Sequence, residues 1–328
     1  MTTPIRIGIV GYGNLGRGVE TAVGLNPDLE LVGVFTRRDP GSVATLGEAT
    51  RVFPMSDLDE PRDDIDVLIL CGGSRDDLPR QTPELASRFT VVDSYDNHAH
   101  VPEHVAAVDA AASAAGTTAI VSTGWDPGLF SLNRLFGEAI LPQGSTYTFW
   151  GRGLSQGHSD ALRRVPGVAG GVQYTIPSRE AVERVRAGES PELSTRERHT
   201  RECYVVLEEG ADAEAVREEI VSMPDYFAPY DTTVTFIDAD ELARDHGGMP
   251  HGGFVIRSGR TSDGTSQVIE YRLDLDSNPE FTASVLVAYA RAAARLAAAG
   301  QHGAKTVLDV PPALLSPRSP EELRAALL

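Results

Sequence analysis

The sequence predicts an α/β protein in which an N-terminal doubly wound parallel sheet is followed by a second, α+β domain carrying a mixed or antiparallel sheet. Three observations carry that expectation. Short apolar strands alternate with helical patterns in the first part of the chain, a glycine-rich turn follows the first strand, and beyond about Pro127 the pattern changes to longer, more polar strands. A length of 328 residues suits two domains, each burying its own core.

The elements follow in order. Ile5 to Val10 reads as a buried strand, Leu15 to Val23 as a helix, and Leu29 to Phe35 and Val67 to Cys71 as further buried strands. Thr90 to Asp93, an alanine-rich helix over Val105 to Ala115 and the strand Ala119 to Ser122 complete the alternation, which implies a parallel sheet. Thr146 to Trp150, Gln173 to Ile176, Glu202 to Leu207, Thr232 to Ile237 and Gln267 to Leu275 then read as strands, several without a long helix between them. Glu280 to Ala299 is a long apolar helix, opened by Asn278-Pro279-Glu280 with the chemistry of an N-cap, a first-turn proline and a first-turn acid, and ended by Gly300. A short terminal helix follows the Pro311-Pro312 and Ser316-Pro317 breaks. The expected division is residues 1–126 for a nucleotide-binding domain and 127–299 for the second domain, with about 300–328 packing back on the first.

Composition excludes several classes of function. Acidic residues outnumber basic ones by 47 to 29, and the net charge of −18 repels nucleic-acid phosphates and anionic membrane surfaces at long range. Lys305 is the only lysine, which argues against a Schiff-base mechanism and a Walker-type phosphate loop. Cys71 and Cys203 are the only cysteines and have neither zinc nor redox spacing. The chain enters an apolar strand without a signal-peptide pattern, and no apolar run reaches the ~20 residues of a membrane span. A cytoplasmic protein with neither a nucleic-acid nor a membrane partner is expected.

Gly11, Gly13 and Gly16 form G-x-G-x-x-G between the first strand and the first helix, the context of a Rossmann-type dinucleotide fingerprint. Gly11 permits the tight turn, Gly13 lets backbone approach a pyrophosphate, and Gly16 allows close helix-to-strand packing, while the helix N-terminus offers N–H groups to the anion. At the end of the second strand stand Thr36, Arg37 and Arg38, where an NAD enzyme places an acid against the ribose. Two guanidinium groups suit a 2′-phosphate, so NADP is the expected cofactor. Cys71-Gly72-Gly73-Ser74 ends another strand at the edge where open α/β sheets bind ligands. Cys71 itself reads as a small core residue.

Polar groups are dense in Asp93-Ser94-Tyr95-Asp96-Asn97, in Ser122 to Gly128, in Phe149 to Asp160, in Met249-Pro250-His251-Gly252-Gly253 and in Ser277-Asn278-Pro279. With the Gly11 to Gly16 and Thr36 to Arg38 turns, these strings resemble the meso-diaminopimelate dehydrogenases, in the same order and through most of the chain. The resemblance implies a homodimeric NADP-dependent enzyme, its second domain serving substrate binding and dimerisation. It implies the reversible conversion of meso-diaminopimelate to L-2-amino-6-oxopimelate and ammonia, in the diaminopimelate and lysine biosynthetic route. It further implies cofactor contacts at Gly11, Tyr12, Gly13, Asn14, Leu15, Gly16, Thr36, Arg37, Arg38, Cys71, Gly72, Gly73, Ser74, Ser94, Tyr95 and Asp96. Substrate contacts are implied at Asp96, Trp125, Asp126, Trp150, Gln156, Asp160, Thr175, Arg201, His251 and Asn278.

The residue types fit that chemistry. A substrate with two ammonium and two carboxylate groups needs acidic acceptors for the former and Arg, His, Asn or Thr donors for the latter. Trp125 and Trp150, the only tryptophans, suit the walls of a methylene chain. Asp96 and Asp126 follow strand ends and are the catalytic candidates, holding the reacting amine and its water; which of them, if either, is the general base stays open. No metal is expected at His98, His100 and His104, since the reaction needs none and the segment reads as a helix entry. The competing readings are a non-catalytic NADP-sensing protein and another NADP-dependent reductase of this architecture.

Overall fold

The computed structural model describes residues 3–328 and divides into two compact units, one running to Leu132 and resuming at Pro279–Leu328, the other Asn133–Asn278. The first unit opens with β1 (Ile5–Val10), α1 (Asn14–Gly24), β2 (Leu29–Thr36), β3 (Val52–Pro54) and β4 (Val67–Leu70). It continues with α2 (Leu78–Ala86), β5 (Val91–Asp93), α3 (Val101–Ala115) and β6 (Thr118–Ile120), and α4 (Leu129–Ile140) carries the chain across the division. The last strand stops two residues short of the expected Ser122, which leaves it with φ 55° and turns its N–H inward.

In the second unit, β7 (Gln143–Trp150), β8 (Gly153–Leu154), α5 (Gln156–Leu162) and β9 (Val168–Pro177) are followed by α6 (Arg179–Arg186), the one-turn α7 (Thr195–Arg198) and β10 (His199–Leu207). Then come α8 (Ala213–Ser222), β11 (Asp231–Phe236), α9 (Ala239–His246), β12 (His251–Ser262) and β13 (Thr265–Leu275). They build a mixed sheet in the order β11-β10-β9-β8 and an antiparallel sheet in the order β13-β12-β7. No strand was expected at β12, which begins with His251 and two glycines; Gly252 and Gly253 have φ of 139° and 148° and lie so close to Leu273 and Phe149 carbonyls that no Cβ fits. Helices α6, α8 and α9 were not expected either, though each is started by an aspartate or serine side chain accepting backbone N–H bonds.

The chain returns to the first unit with α10 (Asn278–Ala298), β14 (Gly303–Lys305) and α11 (Pro320–Leu327). The long helix therefore lies with the nucleotide-type unit and not, as the expected division had it, with the second domain. It is buried nearly all round, and a Cβ on Gly18 of α1 would stand 2.9 Å from the Ala283 Cβ, so the two helices pack backbone to backbone. All seven strands of this unit are parallel, in the order β14-β6-β5-β4-β1-β2-β3. Alternate residues feed two cores: Ile7, Ile9, Val34, Val67 and Ile69 pack with α1 and α10, and Val10, Phe35, Leu68 and Leu70 with α2 and α3. Among the described residues, no helix is long and apolar enough to cross a membrane.

Arg291 of α10 is 2% exposed and grips the chain before β2, its Nε and Nη2 donating to Asp28 at 2.6 and 2.8 Å, Nη2 also to Asn26 Oδ1 and Nη1 to the Leu315 carbonyl. That guanidinium holds the Asp28 carboxyl below its usual value. Arg291→Met leaves Asp28 without its counter-charge and is expected to cost about 3 kcal/mol in urea denaturation at neutral pH. A lowered carboxylate stabilises the fold above its unfolded value and ceases to as pH falls through the folded one, so the gap between wild type and variant narrows below about pH 4.

Candidate functional site

In the first unit the residues expected to hold a dinucleotide lie at the carboxyl ends of parallel strands, on the loops that leave them and in the first turn of α1, the edge where such sheets bind ligands. After β1, Gly11 has φ 88°, and a Cβ on Gly16 would stand 2.3 Å from the Gly11 carbonyl oxygen. Gly13 caps α1 without a side-chain bond, and a Cβ there would meet nothing within 4 Å, so the positive end of the helix is open to an anion. These residues fit a pyrophosphate. Tyr12 turns inward and donates to Glu20, a buried carboxylate that also accepts from Leu46 N at 3.2 Å, Gly47 N at 3.0 Å and Thr50 Oγ1. The glycine turn is thereby tied to the segment after β2.

Arg38 bonds the same turn, its Nη2 donating to the Tyr12 carbonyl at 2.8 Å while its N–H reaches Thr36 Oγ1 at 3.1 Å. Arg37 is largely exposed and pairs with Asp77 at 2.8 Å, and Asp77 accepts the Gly73 N–H at 3.0 Å. Both guanidinium groups thus converge on the loops after β1 and β4. Burial pushes the Cys71 thiol far up, which disfavours the thiolate. Ser74 Oγ joins the next loop, donating to the Ser94 carbonyl at 3.4 Å and accepting from Asp96 N at 3.2 Å.

Beneath these loops lies a residue that was not among the expected site residues. The Asp93 carboxylate is fully buried; one oxygen meets Thr82 Oγ1 at 2.7 Å and His104 Nε2 at 2.6 Å, the other the N–H groups of Tyr95 at 3.1 Å and Ser122 at 2.8 Å. The Asp93 carbonyl takes the Thr123 N–H at 2.9 Å. From there the chain runs into Trp125-Asp126-Pro127-Gly128, a tight turn closed by Phe130 N to the Trp125 carbonyl at 2.8 Å, with Trp125 edge-on to Phe130. Asp96 and Asp126 therefore both stand on loops that start at one carboxylate.

The second unit gathers a different set. Thr175 of β9 pairs with Arg201 of β10 in register, and the Arg201 Nη1 donates to Thr175 Oγ1. Arg201 is 5% exposed and its guanidinium lies 3.7 Å from the Tyr230 ring centroid, yet among the described residues it meets no carboxylate and its Nε has no partner. Other buried arginines are saturated: Arg257 holds the Leu141 and Pro142 carbonyls and Thr146, and Arg291 its aspartate. Burial lowers the Arg201 pKa, which marks the cost of its unneutralised charge. A guanidinium so placed has the chemistry to take an anion.

His251 joins this set through Gly153, which pairs with Thr175 and whose missing Cβ makes room for the imidazole. The Gly252 N–H donates to His251 Nδ1 at 2.8 Å, and Asn278 N to the Met249 carbonyl at 2.9 Å, so both residues hang from one short segment. Trp150 stacks on His199 with ring centroids 5.5 Å apart and donates its backbone N–H to His199 Nε2 at 2.9 Å. Burial, helped by Arg201 and Arg198, pushes the His199 pKa down to about 3, so the imidazole stays a neutral acceptor. Gln156 and Asp160 lie at the surface of α5, Gln156 against Met249 Sδ at 3.1 Å and Asp160 paired with Arg163. Arg152, two residues after Trp150, lies over the Tyr174 ring and 3.1 Å from Glu202. His199, Gly153 and Tyr230 were not expected at the site; the one signal in the sequence was His199 and Arg201 on the inward face of an alternating strand, where apolar residues belong.

A model of the diaminopimelic acid dehydrogenase C-terminal domain matches residues 124–277. The meso-diaminopimelate D-dehydrogenase of Ureibacillus thermosphaericus is 63% identical over 324 residues, 99% of each chain. The chain belongs to the meso-diaminopimelate D-dehydrogenase family. A Clostridium tetani E88 meso-DAP dehydrogenase, solved with DAP and with a Gln, Thr, Arg, Pro, His and Asn replaced, is 54% identical, with a TM-score of 0.94 over 99% of this chain and 100% of that one. An engineered D-amino acid dehydrogenase bound to NADP+ is 49% identical, with a TM-score of 0.86 over 99% of this chain and 100% of that one.

Gly153→Ala tests how the second unit is assembled, since its Cβ would fall 2.5 Å from the His251 ring atoms Cγ and Nδ1. The displaced imidazole is expected to lower kcat/KM for the substrate about tenfold or more, read by steady-state kinetics, with the cofactor KM unchanged.

Proposed function

We propose that the protein catalyses the NADP-dependent, reversible oxidative deamination of the D-centre of meso-2,6-diaminopimelate, giving L-2-amino-6-oxopimelate, ammonium, NADPH and a proton. The observation that carries this reading is Arg201, buried, unpaired with any acid, and set beside Thr175 where a substrate carboxylate restores the missing charge. A second support is the set of residues replaced in the Clostridium tetani protein: the same six types recur here, in the same order and at the same separations, as Gln156, Thr175, Arg201, Pro250, His251 and Asn278. Thr175, Arg201, His251 and Asn278 then grip the distal, non-reacting carboxylate. Trp125 and Trp150 wall the methylene chain.

Gly11 to Gly16, Thr36 to Arg38, Cys71 to Ser74 and Ser94 to Asp96 hold the dinucleotide, with the pyrophosphate on the α1 N-terminus and the 2′-phosphate on Arg37 and Arg38. When bound, the nicotinamide accepts the hydride from the D-centre. The carboxylates of Asp96 and Asp126 accept hydrogen bonds from the reacting amine and the attacking water, orienting both and favouring loss of the amine's proton. Asp160 takes a supporting place at the substrate end. The enzyme works as a cytoplasmic homodimer; the exposed Leu135, Phe136 and Ile140 of α4 and Val268 and Ile269 of the edge strand β13 favour self-association.

Mixing the protein with NADP and meso-diaminopimelate and following NADPH absorbance tests the reading; no signal overturns it. In that assay Arg201→Met is expected to lower kcat/KM for meso-diaminopimelate roughly 10- to 100-fold, through removal of a charged hydrogen bond, and to spare small D-amino acids that lack the distal carboxylate. Arg37→Ala with Arg38→Ala is expected to raise the KM for NADP by the equivalent of about 1.5–3 kcal/mol for each charge-assisted hydrogen bond to the 2′-phosphate that is removed, with little change for NAD.

A further inference from the structure

We infer that Asp93 and His104 form a positioning pair for the deamination: the imidazole holds the carboxylate, and the carboxylate sets the loops that carry Asp96 and Asp126. The inference rests on the function proposed above. Its basis is the bonding of one fully buried carboxylate. A carboxylate only accepts, so His104 Nε2, 2.6 Å from Asp93 Oδ2, carries a proton toward it, and Thr82 Oγ1 donates to the same oxygen from 2.7 Å. The other oxygen, Oδ1, takes the Tyr95 and Ser122 N–H groups, which belong to the loops just beyond β5 and β6. Ser122 adopts φ 55°, a conformation that costs a non-glycine residue about 1 kcal/mol or more and persists only where its surroundings impose it. The bond to Asp93 is that imposition, and it directs the chain into Thr123 to Asp126.

His104 also fixes the Tyr95 side, since the two rings stack with centroids 4.1 Å apart at 23°. It comes from α3, Thr82 from α2, and the two loops from β5 and β6, so one carboxylate joins four elements at the carboxyl edge of the sheet. Neither Asp93 nor His104 reaches the surface, both being under 6% exposed, which fits a role through neighbours and not on substrate. Without the His104 donor, Oδ2 keeps a single partner in a dry site, and the carboxylate can turn away from Ser122 and Tyr95.

Steady-state kinetics and amide hydrogen exchange on His104→Ala and His104→Gln decide the matter. His104→Ala is expected to lower kcat for meso-diaminopimelate about 10- to 100-fold, to leave the NADP KM within about twofold, and to speed exchange at Tyr95 and Ser122. His104→Gln, whose Nε2 donates from nearly the same place, recovers both kcat and protection. Unchanged kcat in His104→Ala overturns the inference, as does a glutamine variant that regains the melting temperature but not kcat. If His104→Ala does not fold, Thr82→Val removes the companion donor, and unaltered kcat with unaltered Ser122 exchange there is equally fatal. A wild-type protein inactive on meso-diaminopimelate would refute the proposed reaction, while the exchange data still judge the clamp.

Discussion

The buried carboxylate of Asp93 sets the geometry at the carboxyl edge of the first unit's sheet. An anion without water must be met by donors on every side, and here they come from two helices and two strand-end loops. The requirement works in both directions: the donors keep the charge in place, and the charge gives the loops a single arrangement. Glu20 does the same one layer away, fastening Tyr12 of the glycine turn to the segment that follows β2. Between them the two carboxylates fix the loops that leave β1, β2, β5 and β6.

The second unit is organised around the opposite condition. Arg201 is as buried as these acids but lacks a counter-charge, and its neighbours Thr175 and Tyr230 supply contact without neutralising it. The unit also keeps His199 neutral beside it, so Trp150 is held by an acceptor that does not compete for an anion. A buried cation without a counter-charge favours an anion over a neutral group, because only the anion offsets the cost of its burial.

Much of the first unit was legible in the sequence because a parallel sheet buried on both faces leaves continuous apolar runs, and because Gly11 and Gly16 have conformational and steric reasons tied to their spacing. The second unit was less legible. Its strand β12 begins with His251 and two glycines, and its helices α6, α8 and α9 are short, so neither pattern reaches the length at which periodicity is decisive. The site residues Thr175, Arg201, His251 and Asn278 came from family resemblance; their residue types suited the substrate, but nothing in their spacing brought them together.

By itself the sequence determined the parallel nucleotide-type sheet, its glycine turn, the basic pair at the end of β2 and the family, since each depends on local pattern or on residue identity. Tertiary structure alone decided that α10 belongs to the first unit, because an all-round apolar helix announces burial without naming its partner. It alone showed that Asp93 and His104 are partners, that Gly153 is the gap into which His251 fits, and that Arg201 meets no carboxylate among the described residues. Those facts are distances between residues far apart in the chain, and solvent exclusion at such points is a property of the packed fold that no single segment carries.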